Sequence, residues 1–312
     1  MVVLTAAMLV FGCAELCADD PKSELGQAID GDRAMGYLKK ICEFGPRPSD
    51  SSAMRSQRKW LSAFFGRFGA TVREQRFRIR HPQNGEPVEM ANLIIEWHPE
   101  RRDRILLCTH YDTRPFPDAE RVPSRRRGVF LGANDGASGV ALLCELAHHM
   151  KDYRGRFGID FVLFDGEEFV FDPQRDLYFL GSDYFARSYL QDQSVRYRGG
   201  ILLDMVGDRD LQIYQEKNSL RFARSMVKDI WRVAKELKIK EFRQRARHEV
   251  RDDHLKLNQI ARIPTVDIID FDYPRPGRHT YWHTQADTPD KCSGDSLQKV
   301  ARVVWVWIQR AR

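Results

Sequence analysis

Apolar and polar positions follow two different periods along this chain. Residues 33–44 (RAMGYLKKICEF) repeat at helical spacing until GPRPSDS breaks the pattern. Ser51 or Ser52 can then cap a second helix reaching to about Phe68. From 71 to 79 (TVREQRFRI) the pattern alternates and predicts a strand, closed by the turn segment HPQNGEP. ANLIIEW and RILLCTHYD predict two more strands. The second is apolar almost to its C-terminal end, as a strand buried on both faces should be. The Gly-rich GANDGASGVALLCELAHHM opens into a helix. GIDFVLFDGEE, GGILLDMVGD and IPTVDIIDFD are strands with apolar bodies and acidic ends. Helical spacing returns at about 182–191, 219–237, 252–260 and 294–310, and the last of these carries an apolar stripe.

Strands alternating with helices predict an α/β fold: a single domain with a mostly parallel central sheet and helices on both faces. Neither an internal repeat nor a Pro/Gly/Ser linker divides the chain. His110, Asp112, Glu167, Glu168 and Asp204 all stand where an apolar strand stops. Open α/β sheets form their sites at the carboxyl ends of the strands. Separate pieces of sequence are therefore expected to deliver acids and imidazoles to one crevice.

Composition narrows the reading. The chain has 312 residues, is 42% hydrophobic and carries a formal charge of +6. Its first twenty residues (MVVLTAAMLVFGCAELCADD) are apolar without Lys or Arg, too short for a comfortable membrane span. Residues 1–18 read as a secretory leader with cleavage after Ala18, which predicts export to the periplasm or medium. A lipid anchor at Cys13 is the lesser reading, and a frayed N-terminal helix of a cytosolic protein is the plain alternative. The other cysteines, Cys42, Cys108, Cys144 and Cys292, lack CxxC spacing, so a zinc ribbon is not expected. Buried free thiols are the simplest reading, with a bridge left open. The run Arg125-Arg126-Arg127 could attract polyanions, but acids are interspersed throughout and no nucleic-acid motif occurs, so it reads as solvated surface.

His110, Asp112, Asp135, Glu167, Glu168, Asp204, Asp252, Asp253, His254 and His283 are the candidate chemistry. Carboxylates crowded into one crevice repel one another unless a cation sits among them, and zinc takes imidazole and carboxylate ligands. In Glu167-Glu168, neighbouring side chains of an extended segment point to opposite sides. One can face a metal while the other faces a proton to be moved. Single strand-ending acids are more often helix caps or ion-pair partners, but five strand ends together point to a site. His254, a lone histidine, reads as structural, and His148 and His149 as surface residues of a helix.

LLCTHYDT, GANDGASGVALL, FVLFDGEE, LGSDYFA, ILLDMVG and HTQADTPDKCS, in this order, resemble the motifs of the zinc aminopeptidase and glutaminyl cyclase superfamily. The resemblance covers the chain from about 33 to 311 and implies one catalytic domain there. Carried over by position, it implies metal ligands at Asp135, Glu168 and His283, with Glu167 as general base or acid. Residues matching His110 and Asp204 hold the second metal in two-zinc aminopeptidases. His110 is thus implied as a ligand or as a group supporting one. One zinc ion is expected, with two left open, and the partner is a peptide or protein N-terminus.

Within the superfamily, three features resemble the cyclases, which close an N-terminal glutamine to pyroglutamate with loss of ammonia. Asp252-Asp253 precedes His254 as in the cyclases' Asp-Asp-His. There the first Asp shares a hydrogen-bonded acid network with the residue matching Asp204, which implies catalytic roles for Asp204 and Asp252. Trp282, before His283, resembles the cyclase pocket wall and is implied, with Asp253, in substrate binding. The excursion FVFDPQRDLYF after Glu168 is long, as in cyclases. There are departures: this loop holds Phe169, Phe171 and Tyr178 but no Trp, and Arg251 stands where animal cyclases have a neutral amide. A zinc aminopeptidase is the alternative, and an inactive binding relative a further one.

Overall fold

The computed structural model describes residues 28–192 and 194–312. The expected leader, with Cys13 and Cys17, lies outside them. Six strands form the main sheet: β1 (Thr71–Arg80), β2 (Pro87–Trp97), β3 (Asp103–His110), β4 (Gly158–Phe164), β5 (Arg196–Asp204) and β8 (Thr265–Ile269). Their order is β1-β2-β4-β3-β5-β8. β1 and β2 pair antiparallel, as do β2 and β4, while β3, β4, β5 and β8 run parallel. From β3 the chain crosses to β4 on one side, then over to β5 on the other. This reversal opens a crevice at the carboxyl ends of the parallel strands.

The two sheet faces have different covers. Ile105, Leu107, Phe161 and Leu203 pack in one core with helices α1 (Gly31–Cys42), α2 (Ser52–Arg67), α3 (Ala137–Ala147), α6 (Arg224–Glu236) and α8 (Gly294–Arg310). Leu106, Cys108, Val162 and Leu202 face Phe185 and Ala186 of α4 (Leu180–Gln191), and Leu257 and Ala261. Ser51, one of the two expected caps, accepts from the Met54 amide at the start of α2, and Asp30 accepts from the Arg33 amide at the start of α1. Cys42, Cys108, Cys144 and Cys292 are buried free thiols. Among the described residues no helix is long and apolar enough to cross a membrane.

Two expected helices differ. The periodic run 219–237 is split into α5 (Lys217–Phe222) and α6, because Ala223 leaves helical geometry at φ −136 and ψ 37. The run 252–260 becomes a short turn, α7 (His254–Lys256), continued by a π-helical turn over Leu257–Ala261. A two-stranded sheet of β6 (Ile213–Gln215) and β7 (Phe242–Ala246) was hidden in polar sequence. His148 and His149 are pinned rather than solvated: the Tyr37 hydroxyl lies 2.6 Å from His148 Nε2, and His149 Nε2 lies 3.0 Å from Glu145 Oε1.

At the amino edge of the sheet, the fully buried Arg104 forks onto Asp160 at 2.5–3.0 Å. It also donates to the carbonyls of Trp97, His98, Arg101 and Ile159, while the Tyr197 hydroxyl donates to Asp160 at 2.6 Å. β2, β3, β4 and β5 are tied through this one group. Removing one partner of a buried pair strands the other charge. Asp160→Ala is expected to lower the urea-unfolding free energy by about 3–5 kcal/mol, while zinc content of the folded fraction stays unchanged.

Candidate metal centre

Strand ends and the turns behind them deliver the donors. β3 ends on His110, and β5 ends on Asp204. The turn after β4 carries Asp165, Glu167 and Glu168. Asp135 precedes α3, and Gly136 between them has φ 95. A Cβ at Gly136 would lie 2.6 Å from the Asp112 carbonyl oxygen and 3.1 Å from His110 Cε1, so glycine lets the α3 loop close over the strand end. His283 comes from the irregular segment after β8. Phe179, Met205 and His283 hold left-handed backbone conformations with φ 62, 50 and 53. Such strain in non-glycine residues persists where the surrounding structure fixes it, commonly at functional sites.

The donors converge in overlapping sets. Donor atoms of Asp135, Glu168 and His283 lie within 4.8 Å of one another, as do those of His110, Asp135 and Asp204, and those of His110, Glu167 and Glu168. His283 Nε2 is 2.6 Å from Glu168 Oε1 and 3.4 Å from Asp135 Oδ2. His110 Nε2 is 3.2 Å from both Asp135 Oδ1 and Asp204 Oδ1. Asp135 therefore faces both imidazoles. Glu167 is the least committed acid: its side chain is 13% exposed, and its carboxylate comes to 3.9 Å from His110 Nδ1.

Charge in this crevice is unbalanced. Burial, with repulsion from Glu168, Asp252 and Asp253, holds Glu167 well above the usual carboxylate range. Burial raises Asp252 likewise, reinforced by Asp204 and Asp253. It also raises Asp204, although His110 opposes it. Burial would push His283 down, but Glu168, Asp118 and Asp135 override it and lift it to about 9. The protein alone thus gathers protons to offset carboxylate crowding. A divalent cation satisfies the same demand, and the Asp135 Oδ2 lone pairs, buried without a hydrogen-bond partner, are free to ligate one. The imidazole–carboxylate donor set fits a divalent metal.

Supporting groups hold these donors in place, and sequence reasoning missed most of them. Asp287 accepts from the Asn134 and Asp135 amides at 2.8 and 3.1 Å and from the Tyr273 hydroxyl at 2.8 Å. Its position inside QADTPDK was the available signal. Asp112 accepts from the Glu167 and Glu168 amides at 3.2 and 3.0 Å. Asp118 Oδ1 is 3.2 Å from His283 Nδ1 and 2.9 Å from Arg114 Nε, and the Arg114 amide donates to Glu168 at 2.9 Å. Arg47, in a segment read only as a helix breaker, is fully buried and donates to the carbonyls of Gly45, Leu131 and Gly132.

Other expected site residues fall into distinct places. Asp252 is buried behind Asp204, but the side-chain hydrogen bond of Asp204 goes to His110 and the Asp252 carboxylate accepts from the Asp253 amide. Asp253 is fully enclosed and accepts from the Ser182 hydroxyl at 2.5 Å. The substrate-binding role expected for it would need its side chain to reach past this enclosure. His254 is buried between Glu216 at 3.4 Å and Asp267 at 3.7 Å, outside the metal sets. Trp282 is 36% exposed and stacks on His283 with centroids 3.7 Å apart. In the loop after Glu168, Phe169 and Phe171 pack with Phe77, Val88 and Met90, leaving Tyr178 beside Arg114. A concavity of about 1560 Å³ opens at the amino edge of the sheet, lined by Ile105, Phe157 and Arg198, and contains none of these donors.

The sequence model of peptidase family M28 matches residues 92–308. The chain belongs to peptidase family M28. The matched span includes every donor of the three sets. Among solved structures of this fold, the Fimbriiglobus ruber glutaminyl cyclase superposes with TM-score 0.87 at 40% identity, covering 91% of this chain and 96% of that one. A leucine aminopeptidase precursor from Bacteroides thetaiotaomicron gives TM-score 0.84 at 32% identity, covering 91% and 98%. A probable zinc metalloprotease of Pyrenophora teres f. teres is 31% identical over 210 residues, 61% of this chain. The chain spans 42% of that curated relative's length.

Because Asp287 fixes the backbone that carries Asp135, Asp287→Ala is expected to weaken metal affinity about 10–100-fold, read by titration against a chelator. Unchanged affinity would show that Asp287 serves folding alone.

Proposed function

We propose that this M28 member is a zinc-dependent glutaminyl-peptide cyclotransferase, with Asp135, Glu168 and His283 holding one zinc ion. The observation that carries this reading is Trp282 lying flat on His283 at 3.7 Å while remaining 36% exposed. It sets an apolar wall beside the ligand cluster, suited to a small amide-bearing side chain. Likeness to the Fimbriiglobus ruber glutaminyl cyclase along nearly all of both chains supports it.

When bound, zinc supplies positive charge that polarises the substrate's side-chain amide. The remaining work belongs to the protein. The α-amine of an N-terminal glutamine attacks the amide carbon of its own side chain; a C–N bond forms within the ring and the bond to the amide nitrogen breaks. Glu167, ionised once a cation relieves the crowding that otherwise holds its proton, takes a proton from the attacking nitrogen and returns it to the departing one, which leaves as ammonia. Because attack is intramolecular, the Trp282 wall acts by orienting the chain. Asp204 and Asp252, held toward their neutral forms by burial and by neighbouring carboxylates, limit the negative charge around Glu167.

One observation favours hydrolysis instead. His110, Asp135 and Asp204 form a second donor set sharing Asp135 with the first. Filled with a second ion, it would suit an aminopeptidase, the activity named for the Bacteroides thetaiotaomicron leucine aminopeptidase precursor. Two assays separate these readings: ammonia release from a glutaminyl peptide, and amino-acid release from a non-glutaminyl peptide, with metal stoichiometry measured on the same sample. The cyclase reading expects ammonia, no freed amino acid and one zinc per chain. Freed amino acid with two zinc ions would replace it with hydrolysis.

Glu167→Gln is expected to lower turnover by about 10²–10⁴-fold with zinc retained. Trp282→Ala is expected to raise KM while Tm barely moves. A large loss of Tm with normal kinetics would make Trp282 a packing residue only.

A further inference from the structure

The run Arg125-Arg126-Arg127 reads as solvated surface in sequence, but the fold ties its loop to the segment that carries His283. Its loop leaves the centre at Arg114, whose amide donates to Glu168, and returns at Phe130, whose ring lies edge-on to His283 at 6.0 Å. Between these points the Ala119 amide donates to the His283 carbonyl at 3.1 Å. The Gln285 amide donates to the Glu120 carboxylate at 3.1 Å, and the Gln285 side chain donates to the Arg125 carbonyl at 3.0 Å. The loop is therefore fastened to the segment carrying His283 and Trp282.

Its charges are sorted. Both carboxylates turn inward: Asp118 pairs with Arg114 and His283, and Glu120 is only 8% exposed. Arg121, Arg125, Arg126 and Arg127 remain exposed on the outer surface. Arg278 and His279 are exposed on the loop before Trp282, and Arg121 Nη1 lies 3.4 Å from His279 Nε2. That loop's own carboxylate, Asp272, is paired with Arg247 at 3.0 Å, and Arg275 with Asp210 at 3.0 Å. Among the described residues, Arg121, Arg126, Arg127 and Arg278 have no carboxylate within 4.0 Å, and Arg125 reaches only Glu120 at 3.9 Å. Uncompensated charge of one sign around a cleft attracts ligands of the other sign.

We infer that this arginine rim selects polypeptides whose N-terminal residue is followed closely by acidic residues. The inference rests on the proposed reading that the centre takes a peptide N-terminus, and it adds which sequences are taken. The end residue enters beside Trp282, and the following residues leave across the rim, where glutamate or aspartate meets exposed guanidinium groups, none of them with a carboxylate closer than 3.9 Å among the described residues.

The test compares two peptides that begin with glutamine and alanine and continue with two glutamates or two lysines. At low ionic strength the acidic peptide is expected to have about ten-fold higher kcat/KM, and the ratio should shrink as salt screens exposed charge. Joint substitution of Arg121, Arg125, Arg126, Arg127 and Arg278 by Gln should bring the ratio close to one. Equal kcat/KM for the two peptides, or a ratio that this substitution leaves standing, would overturn the inference. Equilibrium binding of labelled peptides to the Glu167→Gln protein reads the same preference independently of the bond made or broken. Absence of ammonia release thus counts against the cyclase reading alone, and equal binding of the two peptides counts against the arginine rim.

Discussion

The architecture turns on the cost of holding many carboxylates at one edge of a dry sheet. Asp112, Asp135, Asp165, Glu168, Asp204, Asp252, Asp253, Asp267, Asp270 and Asp287 are all buried. An isolated buried carboxylate costs far more than a fold's margin of stability can absorb. Three devices manage the cost. Backbone amides serve Asp112, Asp165 and Asp287. Burial outweighs the bonds to Asp165, Asp253 and Asp287 and raises each to about 7, so these acids hold a proton more readily than free carboxylates. Positive groups, chiefly His110, His283, Arg114 and the enclosed Arg47, face the remainder. Asp135 Oδ2 is one of the buried carboxylate oxygens left without a hydrogen-bond partner, and it faces His283 at the centre of the donor sets.

Much of this was legible because a strand buried on both faces leaves a sharp signature. An apolar run that ends in an acid fixes both the strand and the edge at which the acid emerges. His110, Glu168 and Asp204 were readable in that way. His283 and Trp282 were not, since FDYPRPGRHTYWH has no period; only the ordered motifs placed them. Asp253 shows a second limit. Adjacent acids look equivalent in sequence, yet one turn of backbone sends Asp252 toward Asp204 and seals Asp253 against Ser182. The break at Ala223 and the strands β6 and β7 escaped for a similar reason, because tertiary packing overrode local periodicity. Arg125-Arg126-Arg127 looked like ordinary surface because nothing in a charge run says which segment its loop is fastened to.

Asp204 belongs to the second donor set, on which the two proposed readings differ. Turned to His110 and Asp135, it completes a second donor set. Turned to Asp252, it would bring two carboxylates together, and like-charged acids approach only if they share a proton. Burial and the Asp204 charge already raise Asp252 well above its usual range, so the proton is available there. Occupancy by a second ion and retention of that proton are therefore competing ways to neutralise the same charge. Behind Asp204, Asp252, Asp253 and Asp267 are all held toward the neutral form, and His254 is the imidazole enclosed with them between Glu216 and Asp267. The acids behind Asp204 thus contribute to the charge that any cation at this edge of the sheet would meet.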